Sequence, residues 1–273
     1  MIPSIAAEFF KLRKRPATWF LAGAFVLVIL LFNDLISYIA VHRMGADDPD
    51  LAGFRSQLLF QNFSSAALGV VASIGGPIVL ILGALISGSE YGWTTFKTAL
   101  TQGPSRTSIL VGKIVSLATL TAVFTLLGWI EAAAGSLAVT AIDGGVVAMP
   151  TLGGIVGGLA GGWLIATVWG GAGLALGLIF RSTAVPIGFG LIWGLAAENI
   201  IGGLGGTVDL FKTAQHYLIG PNAATLANAV GISRFTGDVG VHLSTTHALA
   251  VLLSYLAALL LIGTQLFRTR DLT

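Results

Sequence analysis

Charge is what this sequence has least of. Of 273 residues only 10% are Asp, Glu, Lys or Arg, 55% are hydrophobic, and the mean hydropathy is +0.90. A soluble domain carries about a quarter charged residues. So little polar surface cannot coat a globule of this size, which points to an integral membrane protein. Cysteine is absent, which excludes disulfides and thiolate metal sites and leaves the compartment open. The net charge of +2 comes with no basic stripe interleaved with aromatics, so nucleic acid is excluded as a partner. No G-x-x-x-x-G-K-[ST] phosphate loop occurs. The nearest fragment, "VGKIV" (111–115), has Ile after the Lys and opens an apolar run, so the chain does not bind ATP in that way. H-E-x-x-H and G-x-S-x-G are also missing, which removes the sequence support for intramembrane hydrolysis.

What is abundant is apolar sequence in long runs, with 37 glycines mostly inside them. A membrane helix needs about 20 consecutive apolar residues, and six windows qualify: about 17–40, 63–87, 110–140, 152–180, 184–204 and 246–267. The breaks that divide 110–204 into three are "AIDGGVVAMP" (141–150) and "FRSTAVP" (180–186). The expectation is an all-α integral membrane protein of one domain, 1–273, with six transmembrane helices.

Lys and Arg placement sets the orientation. With the N-terminus in the cytoplasm, ten of these residues fall inside and four outside, and the acidic "DDPD" (47–50) falls outside. Both termini are then cytoplasmic. The basic stretch before the first run suggests a secretory signal, but that run is long and no small-x-small cleavage pattern follows, so it is read as a retained span. The four histidines, His42, His216, His242 and His247, map outside. They are read as polar loop residues rather than metal ligands.

Residues 3–15, "PSIAAEFFKLRKR", place Ile5, Phe9 and Leu12 on one helical face and Glu8, Lys11 and Arg15 on another, after a Pro3-Ser4 start. Such a helix lies in the membrane interface and touches lipid there, and its charges also fix topology. The glycines of the fourth window form two ladders, Gly153-Gly157-Gly161 and Gly154-Gly158-Gly162, that allow close helix approach. Packing within the chain is the favoured meaning, with a dimer seam as the alternative.

Between the second and third windows lies a polar island, "GSEYGWTTFKTALTQGPSR" (88–106). Its aromatics Tyr91, Trp93 and Phe96 stand among hydroxyls and a carboxylate, which suits a protein contact and equally a headgroup-level aromatic belt. The order Glu90, Tyr91, Trp93, Thr95, Pro104, Ser105, Arg106, Gly112 and Lys113 resembles the first cytoplasmic loop of the type-2 ABC transporter permeases. That pattern reads Glu-x-x-x-Gly-Thr, a helix, Pro-x-Ser-Arg, then Gly-Lys. This chain departs from it at Thr94, where Gly is usual, and by placing Ser directly after Pro104. "AEFFKLRKRPATWF", "LALGLIFRSTAVPIGFGLIW" (174–193), "FKTAQHYLIGPNAATLAN" (211–228) and "FRTRDL" resemble further parts of that family, in order along the chain.

The resemblance implies a cytoplasmic coupling helix between spans two and three that docks on a separate ATPase subunit, present in two copies. Glu90, Tyr91, Trp93 and Thr95 would be the contact residues, with Arg106 at the end of the loop. It implies a second permease copy or homologous permease, short external helices between spans five and six, and no cofactor in this chain, since ATP and Mg belong to the partner. "EAAAG" (131–135), similar to a loop motif of ABC importers, falls at the outer end of span three and is taken as coincidence.

Ionisable groups at mid-membrane cost about 2.5–3.5 kcal/mol, which singles out Glu198 with Asn199, Asp34 with Asn33, and Glu131. Glu198 and Asn199, with Asn33 and Asp34, are the candidate substrate path or gate. For Asp34 and Glu131 a place at the outer rim is favoured. The segment 205–245 suits half-membrane helices dipping in from outside, with a surface loop lying flat as the alternative.

The expected function is the permease subunit of an ATP-driven exporter in a bacterial cytoplasmic membrane, with apolar or amphipathic cargo such as a drug-like compound, lipid or peptide. It is not itself an enzyme. The alternatives are a self-contained secondary transporter or channel, which predicts paired midplane charges, and a membrane anchor or sensor that recruits an ATPase without moving cargo.

Overall fold

The computed structural model describes residues 1–93, 101, 103–205, 207–231 and 243–269. Among them the secondary structure is entirely helical. Six helices are long and apolar enough to cross a membrane: Pro16–Arg43, Phe60–Gly92, Arg106–Ile142, Leu152–Phe180, Ala184–Leu204 and Thr245–Thr269. They are spans one to six. The chain is an all-α, multi-pass membrane protein. Alternation of the spans brings Met1 and Thr269 to one end of the bundle, here the near end.

Spans two and four form the centre; they are the most buried and make the most extensive contact of any two elements. Their backbones meet directly. A side chain at Gly83 would overlap the Gly170 carbonyl, and one at Gly173 would overlap the Leu80 carbonyl. Close approach of this kind replaces the hydrophobic drive that lipid does not supply. The ladder residues Gly158 and Gly162 face Ser64, Leu68 and Thr125 of the same chain, so that ladder packs inside the protomer. The tightest seam is the later Gly170, Gly173 and Gly177 group, where Gly177 sits on Ser87. Phe25 against Phe124 (5.7 Å) and Phe63 against Trp129 (4.7 Å) join spans one to three.

Spans one, two and five each contain a π-helical stretch, Leu30–Leu35, Val71–Gly75 and Trp193–Ala197. In these turns the i→i−4 ladder is shifted by a residue, and such turns recur at functional sites. The first carries Asn33 and Asp34, and the third ends just before Glu198.

The N-terminal helix, Ile2–Lys14, packs on span three. Its buried residues are Glu8 and Leu12; Glu8 turns inward, toward the Lys113 ammonium of span three. Two short helices, Asp209–Gln215 and Ile219–Val230, follow span five at the far end. The expected coupling helix between spans two and three, with Thr95, falls outside the described residues, as does the segment 232–242 with His242.

Candidate functional site

At the near end, four charged side chains from three elements converge. Lys113, in span three, is fully buried. Its ammonium lies 2.8 Å from Glu90 Oε1 and 3.2 Å from Glu8 Oε2, and donates to the Ile86 carbonyl at 2.9 Å. Lys11, on the N-terminal helix, pairs with Glu8 and reaches Glu90 Oε1 at 2.5 Å. Two carboxylates and two ammoniums therefore balance, which is how charge is tolerated in a low-dielectric site. Burial pulls Lys11 down, but the charges of Glu90 and Glu8 outweigh it and hold the ammonium above its ordinary value of 10.5. Burial has the upper hand at Arg15 and lowers it, against the pull of the same two carboxylates.

Local sequence explains the convergence. Gly112 leaves room for the N-terminal helix: a Cβ there would lie 3.0 Å from the Ser4 carbonyl oxygen. Ser4 and Ser108 share a hydroxyl hydrogen bond of 2.8 Å beside it. Ser105 caps span three by accepting from the Ser108 N–H at 3.2 Å. Arg106 donates to the carbonyls of Phe267 and Arg268 (3.5 and 3.2 Å), tying the start of span three to the end of span six.

Of the residues expected at a partner contact, Glu90 is 6% exposed and turned into the chain. Tyr91 is half-buried against the core. Trp93 is 64% exposed, with the Arg15 guanidinium 4.7 Å over its ring. Arg15 also donates to the Leu85 carbonyl at 2.9 Å. Phe9 is half-buried on the N-terminal helix beside Glu8. Lys113 and Gly112 entered the sequence reading only as the motif opening span three. A lysine within an apolar run was the available signal that a buried counter-charge exists.

A family model described as "ABC-2 family transporter protein" matches residues 4–197, a stretch that includes the whole near-end cluster. The chain belongs to the ABC-2 transporter family. Comparison with curated proteins gives no match. The chain is thus a membrane permease of an ABC transporter, a transport subunit of a family that works with an ABC ATPase and generally lacks an ATPase site of its own.

In this permease the far end holds two further polar groups. Glu198 Oε1 accepts from Trp193 Nε1 at 2.9 Å and Oε2 accepts from the Gly220 N–H at 2.7 Å. The carboxylate thereby satisfies a free N–H in the first turn of the Ile219–Val230 helix, as a side-chain cap does, from a different element. Gln215 donates to the Ile201 and Gly202 carbonyls (3.1 and 3.2 Å), and His247 of span six bonds the His216 carbonyl at 2.9 Å. The two short helices are therefore pinned to spans five and six. Asn199 is exposed and bonds only locally, to the Leu195 carbonyl at 3.0 Å. Asn33 and Asp34 are buried in a separate group with Gln57 and Glu131. The four residues expected along one path thus divide between two places.

Proposed function

We propose that this permease is the membrane subunit of an ATP-driven exporter in a bacterial cytoplasmic membrane, with both termini in the cytoplasm. Two ATPase subunits and a second permease, a copy or a homologue, complete the transporter. The cargo is apolar or amphipathic, since the spans offer few charges to a hydrophilic one. The N-terminal helix lies in the lipid interface with Glu8, Phe9 and Lys11 at its membrane-domain contact.

The observation that carries the reading is the buried Lys113, bonded at once to Glu90 and to Glu8. Glu90 ends span two, directly before the loop that the resemblance assigns to ATPase docking. A displacement of that loop cannot leave Glu90 behind, because separating it from Lys113 would strand a buried charge. Motion is therefore passed to span three and the N-terminal helix together. In this reading Trp93 and Thr95 contact the ATPase, Tyr91 and Arg106 brace the two ends of the loop, and Glu90 passes the movement inward. Glu198, by pinning the Ile219–Val230 helix, holds the outer gate closed.

The test is co-purification of the tagged permease in mild detergent, with mass spectrometry and an ATPase assay on the eluate. An ABC ATPase accompanies the native chain and is lost with Trp93→Ala. Recovery of folded permease without any ATPase would refute the reading.

A further inference from the structure

Of two pairs of carboxylates brought together among the described residues, one has cations and the other has none. Glu8 and Glu90 are balanced by Lys11 and Lys113. Asp34, on the π-helical stretch of span one, and Glu131, in span three, lie carboxyl against carboxyl at the far side of the bundle. Asp34 is 5% exposed. Its Oδ1 accepts from Asn33 Nδ2 at 3.2 Å, while Asp34 Oδ2 and Glu131 Oε2 are both buried without a donor. Asn33 is in turn met by Gln57 Nε2 at 3.5 Å. The carboxyl of Asp34 is pressed onto the backbone of span three, where a side chain at Gly135 would overlap it.

The neighbouring elements supply no counter-charge among the described residues. The Pro16–Ile29 and Phe63–Val70 segments packed on the π-helical stretch carry no titratable side chain. Ile36–Arg43 carries Tyr38, His42 and Arg43, and His42 is occupied 3.7 Å from Asp143. Arg55, on Leu51–Leu58, is exposed. On span three, Lys113 serves the near-end cluster and Arg106 bonds the end of span six. Neither Asp34 nor Glu131 forms an ion pair with any of these.

Like charges in contact cannot both ionise in a poorly solvated place, and a buried polar oxygen without a donor is costly. One proton shared between the Asp34 and Glu131 carboxyls answers both conditions, because it removes the repulsion and supplies a donor where the buried oxygens have none. We propose that Asp34 and Glu131 form a proton-binding site in the far half of the membrane domain, where a single shared proton holds span one against span three. The site is independent of the exporter reading: it concerns the fold of this chain alone and requires no ATPase.

The experiment is infrared difference spectroscopy of the purified permease, titrated between about pH 5 and about pH 9, with the melting temperature followed over the same range. The native protein shows a protonated-carboxyl C=O band at neutral pH, and its melting temperature falls as that band is lost at alkaline pH. Asp34→Asn and Glu131→Gln each abolish the band and flatten the pH dependence of melting, since a side-chain amide donates to the remaining carboxylate in place of the proton. If a variant does not fold, carbon-13 labelling of aspartate or glutamate in the native protein decides alone, because the band must shift with the label. A native protein with no labelled carboxyl band at neutral pH overturns the proposal. So does melting that responds to added sodium and not to pH, which would make the site one for a metal cation.

Discussion

Lys113 Nζ, in span three, lies 2.8 Å from Glu90 Oε1 at the end of span two, and the lysine side chain is wholly buried. The bond crosses between two spans at the point where the chain leaves the membrane domain for its longest polar stretch. Removing one partner of a buried pair leaves the other uncompensated and costs about 3–5 kcal/mol. Lys113→Met is therefore expected to lower the melting temperature in detergent sharply. A Lys113→Met, Glu90→Met double variant should recover much of the loss, because paired replacement by apolar groups removes the stranded charge. Equal losses in the single and double variants would deny the coupling.

Trp93 should separate binding from folding. Its ring is largely exposed and its stacking with Arg15 contributes only about 0.5–1 kcal/mol at such a site. Trp93→Ala is expected to melt close to the native protein while losing the ATPase on co-purification. A variant that keeps its ATPase would remove Trp93 from the docking surface.

The pH dependence of the near-end cluster has a definite sign. The Lys11 ammonium is held above its ordinary value of 10.5, so the folded state binds that proton more tightly than the unfolded chain does. The stabilisation is then complete below 10.5 and is lost as pH rises through the higher folded value. Lys11→Met should melt below the native protein at neutral pH, and the gap should narrow as pH climbs past the ordinary lysine range. A gap that widens there would contradict the sign.

Glu198 accepts from Trp193 and from the Gly220 N–H, so Glu198→Ala strands two donors at a cost of about 1–3 kcal/mol each if they stay buried. The cheaper response is release of the Ile219–Val230 helix. Hydrogen exchange should accelerate at its first turn in Glu198→Ala and change little in spans two and four. Unchanged exchange at Gly220 would mean that the carboxylate does not pin the helix.

The seam between spans two and four offers a test of packing. With Gly173 against the Leu80 carbonyl and Gly83 against that of Gly170, even one added Cβ must push the two backbones apart. Gly173→Val is expected to be among the most damaging single substitutions, read as loss of monodisperse protein on size exclusion. Gly153→Val, where a Cβ meets nothing within 4 Å, should be tolerated.

Six spans were legible in the sequence because long stretches without Asp, Glu, Lys or Arg admit no other fold class. The sites were less so, since their members come from far apart in the chain. Lys113 and Glu8 are separated by 105 positions, so the lysine reads only as part of the motif that opens span three and the glutamate as part of a polar helix face. Asp34 and Glu131 each looked like a rim residue, because nothing along the chain says that spans one and three bring them together. The π-helical stretches that aim Asn33, Asp34 and Glu198 have no apolar periodicity of their own to betray them. The strict ladders of four mark Gly158 and Gly162, which pack inside the protomer on Ser64, Leu68 and Thr125. The closer contacts with span two, at Gly170, Gly173 and Gly177, mix spacings of three and four and so show no ladder in the sequence.

The measurement that bears most directly on the account uses the absence of cysteine from the chain. Leu210, on the far-end helix Asp209–Gln215, is 72% exposed, and Leu210→Cys provides a single thiol whose labelling rate reports the far end. In the permease co-purified with its ATPase, addition of ATP should change that rate. With Lys113→Met and Glu90→Met added, ATP hydrolysis should continue while the labelling rate no longer responds. A far end that responds equally to ATP with and without the Lys113–Glu90 pair would contradict the claim that this pair carries motion from the loop into the spans.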